Sequence, residues 1–470
     1  MSNSRLEIDL GAVERNVGVI RRVLAHGKHD PADLANPAPP LTPARPAQRD
    51  PKRHAIAIGA VIKQDAYGMG AVRVARRLSA CGVEMLAVYS PDEARALAEA
   101  PIDTPILVLM PMHEVPRADA LYRLAVRGRL HVVAHDLEQA KGLIAMAGWL
   151  GIRLPIHVQV DSGMSRGGCS ADEAARIVQA IAEFPGRVRL AGVMTHFASA
   201  PSDHQATLEQ ARVFRAWIDR VRPLIPPGCL VHASNTTAML RSHRLHGTMV
   251  RVGLSLFGLG ADGVADPENF EFRDASSLLQ PAVRWVSRVV HVTEVPAGWG
   301  VGYGCEWRAP HPSRIALVPT GYADGYPLGL GAPGRGMVGL TGRPFDRTKT
   351  TESPAGRIGA LYAPVVGRVS MDQITLDVTD LPEWAWRLGH EVELIGADPH
   401  APNHLAALAQ AAGTIKHEFL CRIHPHVERL YLSSNLADES PLSPAATSTP
   451  VLRSVAKSPA APAARIVEAG

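Results

Sequence analysis

Residues 55–63, AIAIGAVIK, open a repeating pattern that decides the fold of this 470-residue chain. From there, short apolar, β-branched runs alternate with longer stretches of helical spacing, such as ADEAARIVQAIAEF at 171–184. This alternation is typical of βα units and a parallel sheet. The strand-like runs before residue 260 are AIAIGAVIK, MLAVYS, PILVLM, LHVVAHD, LPIHVQVD, VRLAGVMTH, CLVHASN and MVRVGLSLFG. Eight βα units in about 200 residues predict an α/β fold, a (β/α)8 TIM barrel.

The pattern differs on both sides of these runs. A first helix is predicted from about residue 11 to residue 25, and the Pro-rich residues 27–53 predict an inserted surface loop. From about residue 276, short alternating strands separated by Gly and Pro predict a mostly antiparallel β domain. These strand-like runs are VRWVSRVVHVTEV, RIALVP, VVGRVSMDQITLDV and HEVELIG.

The predicted domains are therefore an N-terminal barrel over residues 1–265, which includes the insertion, and a C-terminal β domain over residues 275–432. Residues 328–361 are so rich in Gly and Pro that we expect a mobile loop without regular structure. The Ser-, Pro- and Ala-rich residues 435–470 predict a disordered tail.

Composition excludes several classes of protein. Apolar residues make up 46% of the chain and charged residues 20%, as in globular proteins. No apolar run approaches the ~20 residues of a membrane span, and the first residues do not resemble a secretory signal, so we expect a soluble, cytoplasmic protein. The five scattered cysteines contain no CxxC pair, which argues against disulfides and a zinc site. A net charge of +4 without a basic block gives little support to nucleic-acid binding.

Lys63 stands out among only seven lysines because it ends an apolar run at a predicted strand terminus. Functional residues of such barrels collect at these strand ends. Burial at the barrel mouth lowers the pKa of a lysine and favours the neutral amine that forms a Schiff base. The structural alternative is a lysine whose ammonium extends to solvent.

Other polar residues follow the later predicted strands. Each has a simple structural explanation, since a histidine at a strand end can be a satisfied polar residue and Asn-Thr often caps a helix. Together with Lys63, they combine an imine-forming amine, a flat imidazole and donors for a phosphate, with backbone N–H groups available at residues 251–258. These residues are Arg166, His196, Asn235, Thr236 and Arg251. Pyridoxal phosphate is the cofactor with these requirements.

Eight motifs follow one another along the chain in the order VIKQDAYGMGA, VDSGMSRGG, GVMTHFASA, HASNTTAML, RVGLSLFG, VGYGCEW, PTGYADGYP and GRVSMDQ. In this order they resemble the alanine racemase family, and the resemblance covers about residues 5–432. The resemblance implies that Lys63 holds pyridoxal 5'-phosphate and is the base on one face of the substrate. It implies that Tyr303, from a second subunit, is the base on the other face, and that the protein is a homodimer with shared active sites.

The resemblance also implies binding roles for other residues. Arg251 corresponds to the arginine that contacts the pyridine nitrogen, and His196 to the residue packed on the ring. The residues that correspond to phosphate-side contacts are Tyr67, Asn235, Thr236, Gly253, Leu254 and His417. Arg166 and Met371 correspond to substrate-carboxylate contacts, and Tyr322 to the channel entrance.

Four positions depart from the family pattern, and one of them is Ser370, which lies beside Met371 where the family often has cysteine. Gln159 replaces a lysine that is often carbamylated, and an amide there could accept a hydrogen bond from Arg166. His417 replaces a phosphate-binding tyrosine, while Thr236 replaces a serine and keeps its hydroxyl. These departures affect substrate choice more than the cofactor or the reaction type.

The expected function is interconversion of L-alanine and D-alanine by two bases, with D-alanine supplied to cell-wall peptidoglycan. Racemisation of serine, lysine or arginine is the first alternative, because pocket volume discriminates weakly between such substrates. A decarboxylase of the same architecture is a second alternative, since Cys305 lies near Tyr303 in sequence. A carrier of pyridoxal phosphate is a third, although such carriers lack the β domain.

Overall fold

The computed structural model describes residues 4–26, 56–260, 271–331, 335–340 and 361–432. The chain begins with strand β1 (Arg5–Asp9) and helix α1 (Leu10–His26). The helix agrees with the predicted one to within a residue at either end. The predicted insertion at 27–53 and the predicted tail at 435–470 lie outside the described residues.

An eight-stranded parallel sheet follows, in the order β8-β7-β6-β5-β4-β3-β2-β9. Its strands are β2 (Ala57–Val61), β3 (Met85–Val88), β4 (Ile106–Val108), β5 (Leu130–Ala134), β6 (Leu154–Gln159), β7 (Val188–Met194), β8 (Leu230–His232) and β9 (Met249–Val252). Each lies in one of the runs quoted above. Because β9 pairs with β2, the sheet curves into a nearly closed barrel, which confirms the predicted fold.

Helices follow the barrel strands, and several begin at a side-chain cap. Ser90 and Glu93 form a capping box, and Asp136 and Ser170 also accept hydrogen bonds from backbone N–H groups of the helices that they precede. The helices are α2 (Lys63–Gly68), α3 (Ala71–Ala80), α4 (Pro91–Ala98), α5 (Ala120–Val126), α6 (Leu137–Leu150), α7 (Ala171–Glu183), α8 (His204–Val221), α9 (Thr236–Arg241) and α10 (Arg273–Ser277).

The C-terminal part is a mostly antiparallel sheet, as predicted, with the order β11-β14-β17-β16-β15-β18-β10-β1-β19. Its later strands are β10 (Val283–Arg288), β11 (His291–Val295), β14 (Ser313–Val318), β15 (Met337–Leu340), β16 (Leu361–Val366), β17 (Ile374–Asp377), β18 (Glu391–Ile395) and β19 (Glu428–Leu432). A short hairpin, β12 (Gly300–Val301) and β13 (Trp307–Arg308), and helices α11 (Leu405–Ala411) and α12 (Lys416–Arg422) complete it.

The first strand belongs to this second sheet, although the sequence assigns the chain start to the barrel domain. β1 pairs with β10 and β19. Arg284 of β10 donates to Glu7 of β1 and to Glu391 of β18, at 2.9 Å in both cases. The buried charges of Arg284 and Glu7 and the half-buried charge of Glu391 compensate one another, which holds β1 in place.

The expectation that residues 328–361 lack regular structure is wrong at Met337–Leu340, which form β15. This strand pairs with β16 on one side and β18 on the other, so tertiary pairing overrides the Gly-rich composition. The remainder of this predicted loop, from residue 341 to residue 360, lies outside the described residues. Within the described part of the chain, no helix has the length and apolar character needed to cross a bilayer.

Candidate active site

Lys63 lies at the barrel mouth, where the chain leaves β2 and enters α2. Its side chain is half-buried, and no described residue forms a hydrogen bond with its amino group. Desolvation, together with the nearby charge of Arg166, lowers the pKa of Lys63. A lowered pKa favours the neutral amine, which is the form that attacks a carbonyl group.

The backbone after Lys63 makes an unusual left-handed turn. Four consecutive residues that are not glycine, 64–67, have φ between 51° and 59°. This conformation costs L-residues roughly 1–2 kcal/mol each. Two carboxylates hold the turn: Glu93 of α4 accepts from the N–H of Gln64 at 2.5 Å, and Asp65, within the turn, accepts from the N–H of Ala71 at 2.6 Å. Strained backbone that its surroundings hold in place is a mark of functional sites.

Arg251 of β9 is buried beside this turn without a carboxylate partner among the described residues. Its guanidinium donates to Nδ1 of His232 at 2.9 Å and to Nδ1 of His196 at 3.0 Å. It also donates to the backbone carbonyl groups of Thr195, His232 and Ala233. Desolvation lowers the pKa of Arg251 to about 10, so the side chain stays protonated at neutral pH.

His196 is held as a neutral donor by these contacts. Arginine has no acceptor, so Nδ1 of His196 must accept and its proton must lie on Nε2. Desolvation, followed by the charges of Arg251, Arg166 and Lys63, lowers the pKa of His196 to about 3. Lys63, Arg166 and His196 follow β2, β6 and β7, and Arg251 lies on β9, so these residues share the end of the barrel where the carboxyl ends of the parallel strands meet.

A second set of donors lies on the phosphate side predicted from the sequence. The hydroxyl of Thr236 contacts the N–H groups of Gly253 and Ser255 at 3.3 and 3.4 Å, and the hydroxyl of Ser255 at 3.2 Å. A Cβ atom on Gly253 would lie only 2.1 Å from the hydroxyl of Tyr67, so this residue must be glycine for the tyrosine to approach. Burial raises the pKa of Tyr67, which keeps it a donor.

The other predicted phosphate-side residues border this set. Asn235 accepts from the N–H of Ala238 at 3.0 Å and thereby caps α9, and Leu254 is buried next to Gly253. The ring of His417 lies 5.7 Å from the ring of Tyr67. Desolvation of this ring, with the charges of Lys416 and Lys63, lowers the pKa of His417 to about 4.

The loop that carries Arg166 is organised by its backbone. Asp161 accepts from the N–H groups of Gly163 and Met164 at 2.9 and 2.8 Å. The amide of Gln159 donates to the carbonyl of Gly167 at 2.8 Å, so it contacts the loop backbone, while the side chain of Arg166 is exposed. The sequence suggested a hydrogen bond from Arg166 to Gln159. The structure contains no such bond between these two described residues, and Gln159 instead contacts Gly167.

The remaining predicted site residues lie on the β domain. Tyr303, Tyr322 and Met371 are 70%, 44% and 53% exposed. The loops of Tyr322 and Met371 are joined, because the N–H of Ala323 donates to the carbonyl of Met371 at 3.0 Å. Within the described residues, no hydrogen bond connects these three side chains to the group around Lys63. The described part of one chain therefore does not join all the predicted residues by hydrogen bonds.

Sequence reasoning missed Glu93, Ser255 and His232. The Ser90–Glu93 spacing signals a helix cap, but it does not reveal that Glu93 also reaches the N–H of Gln64. Ser255 lies within residues 251–258, whose backbone N–H groups suit a phosphate, and His232 is the first residue of the motif HASNTTAML. Their roles depend on contacts between strands that are distant in sequence.

The fold and the site define a class of two-domain enzymes, in which a (β/α)8 barrel with a lysine turn at its mouth is followed by an antiparallel β domain. Family models for the alanine racemase N-terminal domain and C-terminal domain match residues 49–261 and 282–431. The chain therefore belongs to the alanine racemase family.

Individual relatives agree with this assignment. The chain is 34% identical to the alanine racemase of Halothermothrix orenii, over 80% of this chain and 90% of that protein. It is 36% identical to the alanine racemase of Desulfovibrio desulfuricans, over 79% of this chain and 90% of that protein. Among solved structures, the alanine racemase of D-cycloserine-producing Streptomyces lavendulae has a TM-score of 0.73 and 28% identity, over 92% of this chain and 97% of that chain.

Proposed function

We propose that the chain is a pyridoxal 5'-phosphate-dependent alanine racemase that interconverts L-alanine and D-alanine. The observation that carries this proposal is the convergence of Lys63, Arg166, His196 and Arg251 at one barrel mouth, in a chain of the alanine racemase family. The alternatives of the same architecture, a decarboxylase or a cofactor carrier, have no comparable support in the site.

The residues present fit the cofactor. The amine of Lys63 has no hydrogen-bond partner among the described residues, and a hydroxyl and N–H cluster around Thr236 suits a phosphate. When bound, pyridoxal phosphate supplies the electron sink that acidifies the α-hydrogen of an amino acid. Arg251 suits the pyridine nitrogen, because a protonated guanidinium can only donate and leaves that nitrogen without a proton of its own.

Stereoinversion needs one group to remove the α-proton and a second group to return it on the opposite face. The neutral amine of Lys63 is the proposed base on one face. Tyr303 of the partner subunit is the proposed base on the other face, since in the single chain this residue is exposed and no hydrogen bond among the described residues connects it to Lys63. Nε2–H of His196 is the proposed donor to the phenol oxygen, and Arg166 with Met371 the proposed contacts of the substrate carboxylate.

This assignment requires a homodimer with shared sites. The β domain carries exposed apolar side chains that a second copy would cover, which supports this arrangement. They are Trp299, Tyr303, Tyr322, Leu328 and Met371. The proposed location is the cytoplasm, where the five free cysteines stay reduced, and the proposed role is supply of D-alanine for peptidoglycan.

The test is incubation of the cofactor-loaded protein with L-alanine, L-serine, L-lysine or L-arginine, followed by chiral chromatography. We expect D-alanine as the main product. Lys63→Ala should lower the rate by about 10²- to 10⁴-fold and remove the visible absorbance of bound cofactor, whereas Lys141→Ala, which removes a surface lysine, should change neither. Release of carbon dioxide, or full activity in Lys63→Ala, would contradict the proposal.

A further inference from the structure

Three histidines form a hydrogen-bonded chain inside the barrel, behind Arg251. Nε2 of His232 lies 2.8 Å from Nδ1 of His157, and Nε2 of His157 lies 2.9 Å from Nδ1 of His131. The rings are 5.0 and 5.2 Å apart between centroids. His157 and His232 are fully buried, and His131 is 6% exposed.

The row of hydrogen-bonded side chains that runs from Arg251 to His131 crosses the barrel from β9 to β5. His131 and Arg251 each stand two residues from a member of the barrel's own apolar cluster, Val133 and Met249, and therefore share its interior face. The backbone makes room for the central ring of His157. A register irregularity in the β6–β7 pairing places Gly192 opposite His157, and a Cβ atom at Gly192 would lie 2.2 Å from Nδ1 of that ring.

The arginine fixes the direction of every hydrogen bond in the chain. Arg251 can only donate, so Nδ1 of His232 accepts and Nε2 of His232 carries the proton. Nδ1 of His157 must then accept and Nε2 of His157 must donate to His131. All three rings are thereby set in the same Nε2–H tautomer.

Burial keeps these rings neutral. Desolvation lowers the pKa of His131 to about 3 and lowers the pKa values of His157 and His232 well below the ordinary value of a histidine. The charges of Arg189 and Arg251 act in the same direction. The three histidines cannot relay a proton to Arg251, because the arginine has no acceptor. Their hydrogen bonds can only orient and polarise the rings in series.

We propose that His131, His157 and His232 are positioning residues that hold the Arg251 guanidinium in one orientation at the active site, with His131 as the terminal acceptor. The catalytic consequence rests on the proposed function, whereas the tautomers do not. Without an acceptor at residue 131, the N–H of His157 is left unsatisfied, and the two inner rings can reorient away from Arg251.

The first experiment is ¹⁵N NMR of protein labelled in its histidine rings, with signals assigned by difference from single-site variants. We expect an unprotonated Nδ1 and a protonated Nε2 for all three rings at neutral pH. A protonated Nδ1, or a doubly protonated ring, at His157 or His232 would overturn the proposal. This measurement requires no racemase activity, so it remains decisive if the proposed function fails.

The second experiment compares two substitutions of similar shape. Asparagine carries an acceptor oxygen close to the place of Nδ1, whereas leucine has none. We expect His131→Leu to give mixed tautomers at His157 and to lower kcat for alanine by about tenfold with KM unchanged. We expect His131→Asn to keep the tautomers and most of kcat.

His246→Leu is the matched control. His246 is also buried, stacks on Phe272 at 5.8 Å and has one hydrogen bond to the carbonyl of Met239, but it lies outside the chain. Its substitution should lower stability without changing the tautomers or kcat. If His131→Asn loses as much kcat as His131→Leu, or if His246→Leu matches that loss, the three rings act only as packing and the proposal is wrong.

Discussion

At the scale of single residues, the barrel interior combines a protonated arginine with imidazoles that burial keeps neutral. Arg251 contacts carbonyl oxygens and imidazole nitrogens, and no described carboxylate pairs with it. Each acceptor that Arg251 uses is therefore uncharged. A neighbouring carboxylate would neutralise the guanidinium and raise the pKa of His196, which would then be charged at lower cost. The uncharged surroundings keep His196 a neutral donor.

This burial makes stability depend on pH. A histidine with a lowered folded pKa stays neutral in the folded protein, while the unfolded chain binds a proton below about pH 6.5. Stability is therefore fully present above that pH and is lost as the pH falls toward the lowered pKa values, which are about 3 for His131 and about 4 for His246. At about pH 5.5, each such histidine should lower the free energy of unfolding by up to about 1.4 kcal/mol. Urea unfolding between pH 7.5 and 5 would measure the loss.

His246→Asn provides the control for this prediction. Removal of one buried histidine removes one proton that only the unfolded chain binds. The free energy of unfolding should therefore change less steeply with pH, by the contribution of that one proton. Carboxylates with lowered pKa values titrate below this range, so they do not obscure the result. A stability that is constant from about pH 6.5 to 5 would contradict neutral burial of these rings.

At the scale of elements, the left-handed turn at residues 64–67, which makes up most of α2, decides where Lys63 points. Glu93 of α4 holds it, with one carboxylate oxygen on the N–H of Gln64 and the other on the N–H groups of Tyr89 and Ser90. The far end of α2 packs on α12, where a Cβ atom at Gly68 would lie 3.1 Å from the carbonyl of Leu420. Neighbouring elements thus impose a conformation that the sequence of the turn does not favour.

Glu93→Ala should release the turn. The substitution leaves the N–H of Gln64 without its carboxylate partner, so we expect the free energy of unfolding to fall by about 1–3 kcal/mol. It should also weaken cofactor retention during dialysis, because Lys63 is adjacent to the freed residue. Ser90→Ala is the matched control, since it removes the cap of α4 and leaves the Glu93–Gln64 contact in place. Equal cofactor loss in both variants would show that α4 stability, and not the turn, is what matters.

At the scale of the whole molecule, the sequence predicts what local pattern determines. Eight alternating runs predict the barrel. The placement of β1 in the second sheet and of β15 within a Gly-rich segment could not be predicted this way, because both depend on pairing with strands distant in sequence. The same limit applies to the site. Lys63 and Arg251 can be predicted because Lys63 ends one predicted strand and Arg251 lies on another, whereas the contact between Glu93 and Gln64 joins residues that are distant in sequence.

The exposure of Tyr303 in the single chain leads to a test at this scale. If each active site combines Lys63 of one subunit with Tyr303 of the other, a heterodimer of Lys63→Ala and Tyr303→Phe contains one complete site and one site that lacks both bases. Two differently tagged chains, co-expressed and purified through both tags, provide this heterodimer. We expect about half the activity of the unaltered dimer, although each homodimeric variant is nearly inactive.

The reciprocal heterodimer gives the opposite expectation. When an unaltered chain pairs with a chain that carries both substitutions, shared sites leave each site with one missing base, so the heterodimer should be nearly inactive. Sites built within single chains would reverse both results, since the unaltered chain would then keep a complete site, whereas Lys63→Ala and Tyr303→Phe could not complement one another. Because the two heterodimers contain the same set of side chains, the difference in their activity depends only on which subunit contributes each base.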